Sequence, residues 1–122
     1  MSITSIAGKL FVPRQKELQQ YQNGAEELQD EVLKYLVNTA ASTEYGRNHL
    51  FKTIHSYEDF AKNVPLNTYE ELKGDIDRMR HGESDVLWPG SVKWYAKSSG
   101  TTNDKSKFIP VSHDGLQHVH YQ

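Results

Sequence analysis

Apolar residues recur at helical spacing over the first part of the chain. The clearest stripe predicts a helix from Glu26 to Ser42, because its members lie three or four positions apart. The stripe consists of Leu28, Val32, Tyr35, Leu36 and Ala40. Amphipathic stripes of this kind are usually packing surfaces. We therefore expect this face to lie against a core rather than a cofactor.

Capping signals mark where other helices begin. Ser56 and Thr68 each precede an acidic residue three positions later, as in a capping box, and predict helices ending near Asn63 and His81. The remaining predictions are short helices near Ile3–Leu10 and from Pro13 to Asn23, irregular turns over Arg47–Ile54, and a loop over Gly82–Gly90. Residues 1–90 are thus predicted to form a helical scaffold.

Two segments rich in β-branched and aromatic residues follow this scaffold. Val92–Ala96 and Lys107–Val111 predict strands, and the hydrophilic segment between them predicts a connecting loop. Residues 91–111 are therefore a strand–loop–strand unit, and Ser112 is expected to cap a further helix over 112–122. The predicted class is α+β, mostly helical, with a small β-hairpin.

Composition narrows the possible functions. The chain has 122 residues, which fits one domain. Its 14 basic and 16 acidic residues give no basic excess for nucleic-acid binding. No apolar run is long enough for a membrane helix, and no signal-peptide pattern opens the chain. The absence of cysteine is compatible with the reducing cytoplasm, which is the expected location.

The loop between the predicted strands combines groups that bind phosphate. Its hydroxyls belong to Ser98, Ser99, Thr101 and Thr102. Gly100 has no Cβ and lets an anion approach the backbone, while Lys105 and Lys107 add positive charge. The spacing excludes a Walker A loop and a dinucleotide fingerprint. Ordinary turns have a similar composition, so a plain hairpin loop remains the alternative at this point.

Ser-Ser-Gly-Thr-Thr followed by a lysine resembles the phosphate loop of the adenylate-forming superfamily. The lysine lies one residue later than in the commonest form and precedes Phe108-Ile109-Pro110. This longer form is similar to the acyl-acid amido synthetases called auxin-responsive promoter proteins. Further segments that resemble this family, in order, are Thr43–Arg47, Asp59-Phe60, Val64–Leu66, Tyr69-Glu70, Gly82-Glu83 and Leu87–Gly90.

The resemblance implies an N-terminal fragment of a larger α/β adenylating domain. The parent enzyme would use ATP and Mg²⁺ to activate a carboxylic acid as an acyl-adenylate and would then join it to an amino acid. Ser98, Ser99, Thr101 and Thr102 would contact the β- and γ-phosphates. Gly100 would let the loop close, and Lys107 would be the catalytic loop lysine. The fragment alone is expected to be inactive.

The loop departs from the plant-type family pattern at three positions. Asn103 and Asp104 stand where an acidic residue and a glycine are usual, and Ser106 stands where proline is usual. Asp104 places a negative charge near the proposed phosphates. Two other functions remain open: a non-catalytic phosphate- or protein-binding module, and a helical interaction domain with a fortuitous Ser/Thr loop.

Other candidate residues have simpler interpretations. His113, His118 and His120 do not form a complete metal-ligand set, so no metal site is predicted. Aromatic side chains near the hairpin are expected mainly in the core, and nearby basic side chains either steer anions or are solvated. These residues are Trp88, Trp94 and Tyr95, and Arg78, Arg80 and Lys93. Unpaired strand edges predict that the fragment self-associates.

Overall fold

The computed structural model describes residues 24–99 and 105–117. Within these residues, helices precede a two-stranded antiparallel hairpin and one short helix follows it, which confirms the mostly helical prediction. The elements are α1 (Ala25–Ala40), α2 (Glu44–Asn48), a 3-10 turn (Phe51–Thr53), α3 (Tyr57–Asn63), α4 (Tyr69–Arg80), β1 (Trp94–Lys97), β2 (Phe108–Val111) and α5 (His113–Gly115). The two helices predicted before residue 24 lie outside the described residues.

Three helix starts follow from side-chain caps. Ser56 Oγ accepts a hydrogen bond from the Asp59 N–H and begins α3. Thr68 and Glu71 form a complete capping box at the start of α4. Ser112 Oγ accepts from the Gly115 N–H and begins α5. All three predicted starts are confirmed. Helices begin at these residues because each cap provides an acceptor for an N–H group that has no partner within its helix.

Helix α1 forms where predicted, but most of its predicted apolar stripe is exposed. Val32, Tyr35 and Leu36 are 55%, 48% and 44% exposed. The buried positions are Ala40, the last member of the predicted stripe, and Val37, which was not in it. Both pack with Phe51 of the 3-10 turn and with Ile54 directly after it. The turn lies against the Val37 side of the helix, and this long-range contact decides which of two apolar stripes is covered. None of the described helices is long and apolar enough to cross a membrane.

The segment Arg47–Ile54, predicted as irregular turns, contains the end of α2 and the 3-10 turn. Thr43 caps α2 and is fully buried; its hydroxyl donates to the Ala40 carbonyl at 2.7 Å and accepts from the Gly46 N–H at 3.0 Å. Gly46 packs so tightly against the end of α1 that a Cβ there would lie 2.0 Å from the Ala40 oxygen. The turn from α1 into α2 therefore requires glycine.

The predicted loop after α4 is confirmed and docks on α2. The carbonyls of Asp85 and Val86 accept hydrogen bonds from the Glu44 and Tyr45 N–H groups at 2.8 and 3.0 Å. Val86 is buried with Met79 and Val92 in a second core cluster. Trp88 packs against both clusters. This single indole therefore joins the α1 region to the elements that carry the hairpin.

The hairpin pairs β1 with β2 in a register that matches Trp94 with Val111 and Lys97 with Phe108. Pairing continues at Ser98, whose N–H donates to the Lys107 carbonyl. Antiparallel pairs alternate in bonding pattern, so the backbone N–H of Phe108 points away from β1. Pro110, two positions on, lies at an equivalent position and has no N–H to offer. The outer edge of β2 is therefore poor in donors.

Candidate functional site

Ser98 and Lys107 pair at the base of the loop, one position beyond the ends of the two strands. The Ser98 N–H donates to the Lys107 carbonyl at 2.9 Å, and the Lys107 N–H donates to Ser98 Oγ at 3.0 Å. A regular ladder would use the Ser98 carbonyl for the second bond, so the hydroxyl replaces a main-chain acceptor. Because a hydroxyl also has a proton to donate, Ser98 can still donate to an anion in the loop.

The other predicted loop residues lie partly within and partly outside the described residues. Ser99 and Lys105 are exposed, while Ser106 and Lys107 are partly buried. Gly100, Thr101 and Thr102 lie outside the described residues, as do Asn103 and Asp104. Of the predicted site residues, the structure therefore brings Ser98 and Lys107 together and places Ser99 at the start of the loop.

Helix α4 lies against the base of this loop. The Phe108 N–H donates to the Tyr69 hydroxyl at 2.9 Å. The Lys107 ammonium lies 5.6 Å from the centroid of the Tyr69 ring, within cation–π range. At the other end of α4, the Arg80 guanidinium lies 3.7 Å from the centroid of the Phe108 ring. Both ends of one helix thus contact the residues that begin β2.

Positive charge is concentrated around the base of the loop. Lys97 ends β1, and its ammonium lies 6.0 Å from the Phe108 ring centroid on the opposite leg. Arg80 lies over the same ring and also pairs with Asp77 at 3.3 Å. Together with Lys107 they place three cations beside the two legs of the loop. Such an arrangement raises the local positive potential.

Arg78 is not part of this cationic region. Its guanidinium bonds to Glu44, Glu83 and Asp75, with contacts to Glu44 at 2.6 and 3.0 Å. Hydrogen bonds from Arg78 lower the pKa values of the Glu44 and Glu83 carboxyls below their usual range. The same bonds raise the pKa of Arg78. Three carboxylates thus neutralise this arginine, which links α2 to the end of α4 and is not available to steer anions.

The aromatic residues near the hairpin divide between core and surface. Trp88 and Tyr95 pack against the second core cluster, as expected. Burial raises the pKa of the Tyr95 hydroxyl, which has no hydrogen-bond partner within the described part of the chain. Trp94 is 49% exposed and stacks on His113 with 6.2 Å between ring centroids. The core interpretation therefore holds for two of the three aromatics.

The histidines fall partly outside the described residues. His113 lies at the start of α5, whereas His118 and His120 lie outside the described residues. Across residues 24–99 and 105–117, no group of three histidine, aspartate or glutamate side chains is arranged to hold a metal ion.

No sequence pattern indicated that Tyr69 contacts the loop, and for Arg80 the sequence left open whether the side chain steers anions or is solvated. Tyr69 lies 39 residues before its hydrogen-bond partner, and no local pattern connects the two. The positions of Tyr69 and Arg80, eleven apart on α4, place both on one helix face. That spacing is the only signal that could have grouped them.

The sequence of this chain matches the model of a known protein family. The model of the GH3 family N-terminal domain matches residues 14–122. The chain belongs to the GH3 family. The resemblance to acyl-acid amido synthetases is confirmed, and the match extends over the helical scaffold as well as the hairpin.

Several relatives in Arabidopsis thaliana are similar to this chain. The indole-3-acetic acid-amido synthetase GH3.15 is 34% identical over 101 residues, which are 82% of this chain and 17% of that protein. The 4-substituted benzoates-glutamate ligase GH3.12 is 30% identical over 106 residues, or 86% of this chain and 18% of that protein. The chain therefore spans less than a fifth of the length of these relatives.

A solved structure of the GH3.15 acyl acid amido synthetase has a similar fold. It superimposes with a TM-score of 0.74 at 32% sequence identity and covers 84% of this chain and 18% of that enzyme. The helices and the two-stranded hairpin therefore have the arrangement of one part of a larger amido synthetase.

Proposed function

We propose that this chain forms the N-terminal part of an ATP-dependent ligase that conjugates a carboxylic acid to an amino acid. Membership of the GH3 family supports this function, as do the amido synthetase and ligase activities named for its relatives. The observation that carries the proposal is the pairing of Ser98 with Lys107. This pairing holds a hydroxyl and a lysine at the two legs of one loop.

The proposed roles follow from the chemistry of each side chain. The hydroxyls of Ser98, Ser99, Thr101 and Thr102 donate hydrogen bonds to the β- and γ-phosphates of ATP. Gly100 allows the backbone to approach them. Lys107 offsets the charge that develops on the departing pyrophosphate, which is the electrostatic form of catalysis.

The proposed reaction has two steps. A carboxylate oxygen attacks the α-phosphorus of ATP, forming a P–O bond and breaking the bond to pyrophosphate. The amine of the amino acid then attacks the acyl carbon, and AMP leaves. In the first step this chain holds the triphosphate tail in line, and such positioning lowers the barrier.

Mg²⁺ would be bound mainly through the phosphate oxygens of ATP. Mg²⁺ prefers oxygen ligands and often uses substrate phosphates with one or two carboxylates. The side chains described at the loop base offer a hydroxyl and cations, and no described residue is assigned as a Mg²⁺ ligand. The acyl and amino acid sites are proposed to lie in additional polypeptide, so this chain alone is expected to be inactive.

Pyrophosphate exchange tests the proposal in a longer protein that contains this sequence. With a panel of carboxylic acids including aromatic ones, we expect ATP-dependent exchange that Lys107→Ala reduces roughly 100-fold or more, as for the loss of one electrostatic catalytic group. Lys52→Ala, an exposed position in the 3-10 turn, is the matched control. Unchanged exchange in Lys107→Ala would show that this lysine has another role.

The exposed face of α1 supports a second candidate, a non-catalytic protein-binding module. Val32, Tyr35 and Leu36 present an apolar surface on the outside of the described helices. Such surfaces often mark protein contacts. Calorimetry with ATP and Mg²⁺ distinguishes the candidates, since a purely protein-binding module gives no heat of binding.

A further inference from the structure

We propose that Tyr69 is a positioning residue for Lys107, holding both the backbone and the ammonium group of the loop lysine. This inference rests on the proposed function, because it assigns Tyr69 a role in the phosphate loop described there. The hydroxyl of Tyr69 accepts from the Phe108 N–H at 2.9 Å, and its ring lies 5.6 Å from the Lys107 ammonium.

The backbone contact acts on a single peptide plane. The peptide group between Lys107 and Phe108 contributes the Lys107 carbonyl, which accepts from Ser98, and the Phe108 N–H, which donates to Tyr69. A peptide group is planar, so these two bonds on opposite sides fix its orientation. The direction in which the Lys107 side chain leaves the backbone is thereby set by Ser98 and Tyr69 together.

The ring contact holds the ammonium group without neutralising it. A cation–π contact with tyrosine attracts the lysine while leaving its full positive charge. Arg78 is the contrast within this chain, since its three carboxylate partners compensate its charge. Lys107 is therefore guided toward one position and can still attract an anion.

Tyr69 is itself firmly placed. It is the first residue of α4 and lies between Thr68 and Glu71, the two members of the capping box. The Thr68 N–H donates to the Glu71 carboxylate at 2.6 Å, and the Glu71 N–H donates to the Thr68 hydroxyl at 3.4 Å. The contacts of Tyr69 thus connect the loop to a capped helix end rather than to another loop.

Nuclear magnetic resonance on the 122-residue chain tests both contacts separately. Tyr69→Phe removes only the hydroxyl. We expect hydrogen exchange at the Phe108 amide to speed up about five-fold or more, as for the loss of one hydrogen bond, with the ring-current shift of the Lys107 side chain retained. Tyr69→Leu removes the ring as well and should also abolish that shift. Tyr57→Phe, at a tyrosine that is 71% exposed on α3, is the matched control and should change neither readout.

Binding of inorganic tripolyphosphate then connects this positioning to function. We expect Tyr69→Leu to weaken binding about two- to five-fold, as for loss of an exposed cation–π contact. The inference would be overturned if the Phe108 amide exchanged at the wild-type rate in Tyr69→Phe. It would also be overturned if Tyr69→Leu left either the Lys107 chemical shift or the affinity for tripolyphosphate unchanged. If the wild-type chain does not bind tripolyphosphate, phosphate binding by this chain fails, while the exchange and shift measurements still decide whether Tyr69 positions Lys107.

Discussion

The Ser98 hydroxyl takes the place of a main-chain acceptor at the point where the hairpin opens into its loop. Its bond from the Lys107 N–H ends the regular ladder without leaving that donor unpaired. The sequence predicted Ser98 and Lys107 as members of one loop from their residue types. That they would contact each other depends on the strand register, which residue composition does not determine.

Replacing this hydroxyl should have a measurable cost. Ser98→Ala leaves the partly buried Lys107 N–H without its acceptor, and we expect the free energy of unfolding to fall by about 1 kcal/mol. Ser98→Thr keeps the hydroxyl and should lie closer to the wild type. Urea denaturation measures the difference. Ser99→Ala, at an exposed position, is the control, and an equal loss there would contradict a specific role for Ser98.

Two glycines should respond to alanine in opposite directions. A Cβ on Gly46 would lie 2.0 Å from the Ala40 carbonyl oxygen, so Gly46→Ala should lower the free energy of unfolding by about 1–3 kcal/mol. A Cβ on Gly74 of α4 would meet no atom within 4 Å apart from those of its chain neighbours and the adjacent helix backbone. Gly74→Ala should therefore stabilise the chain by roughly 0.5–1 kcal/mol through helix propensity. Thermal unfolding of both variants tests the pair, and destabilisation by both would refute this account.

Among the elements, helix starts were easier to predict than helix faces. Ser56 and Thr68 are local signals, because a cap bonds to residues three positions away. The buried face of α1 is a tertiary property: the helix has two apolar stripes, and packing on Phe51 and Ile54 covers the one through Val37. The helical turns after α1 were missed for a related reason, since buried Thr43 and Gly46 form them through contacts with the end of α1.

The ion cluster that joins α2 to α4 predicts a pH dependence of stability. Arg78 lowers the pKa values of Glu44 and Glu83 in the folded state below the ordinary value of 4.5. As pH falls, these carboxyls take up protons in the unfolded state before they do so in the folded state. The stabilisation by the ion pairs is therefore complete above about pH 4.5 and is lost as pH falls through the pKa values of the folded state.

Arg78→Met should remove this dependence. We expect the stability difference from the wild type to be largest near neutral pH and to shrink below about pH 4.5. Urea midpoints between pH 7 and pH 3 measure it. Lys52→Met, at an exposed position, should run parallel to the wild type. If the difference in stability between the wild type and Arg78→Met stayed constant over this range, the ion pairs of Arg78 would not control the titration of Glu44 and Glu83.

For the molecule as a whole, the sequence predicted the class and the family but not the connection between scaffold and loop. The hairpin was recognisable from its β-branched and aromatic residues. The match to the GH3 family N-terminal domain confirms the resemblance to the acyl-acid amido synthetases. The Tyr69–Phe108 contact spans 39 residues, and such a contact follows from the packing of α4 on β2 rather than from any periodicity.

Self-association stays a prediction, and the structure adds a surface for it. Val32 and Leu36 expose apolar side chains on α1, and we expect light scattering to detect association of the chain as its concentration rises. The double variant Val32→Glu and Leu36→Lys should shift the chain toward monomer. Asn38→Glu adds a charge on another, exposed side of the same helix and serves as the control. A wild-type chain that remains monomeric at high concentration would contradict the prediction.

The proline in β2 limits how such a chain can polymerise. With Pro110 in the outer row and the Phe108 N–H already engaged by Tyr69, β2 offers few donors to an incoming strand. A ribbon with a single receptive border can join one neighbour and then has nothing left to extend. Growth into long fibrils needs two such borders per subunit. Misassembly through this hairpin would consequently stop at pairs.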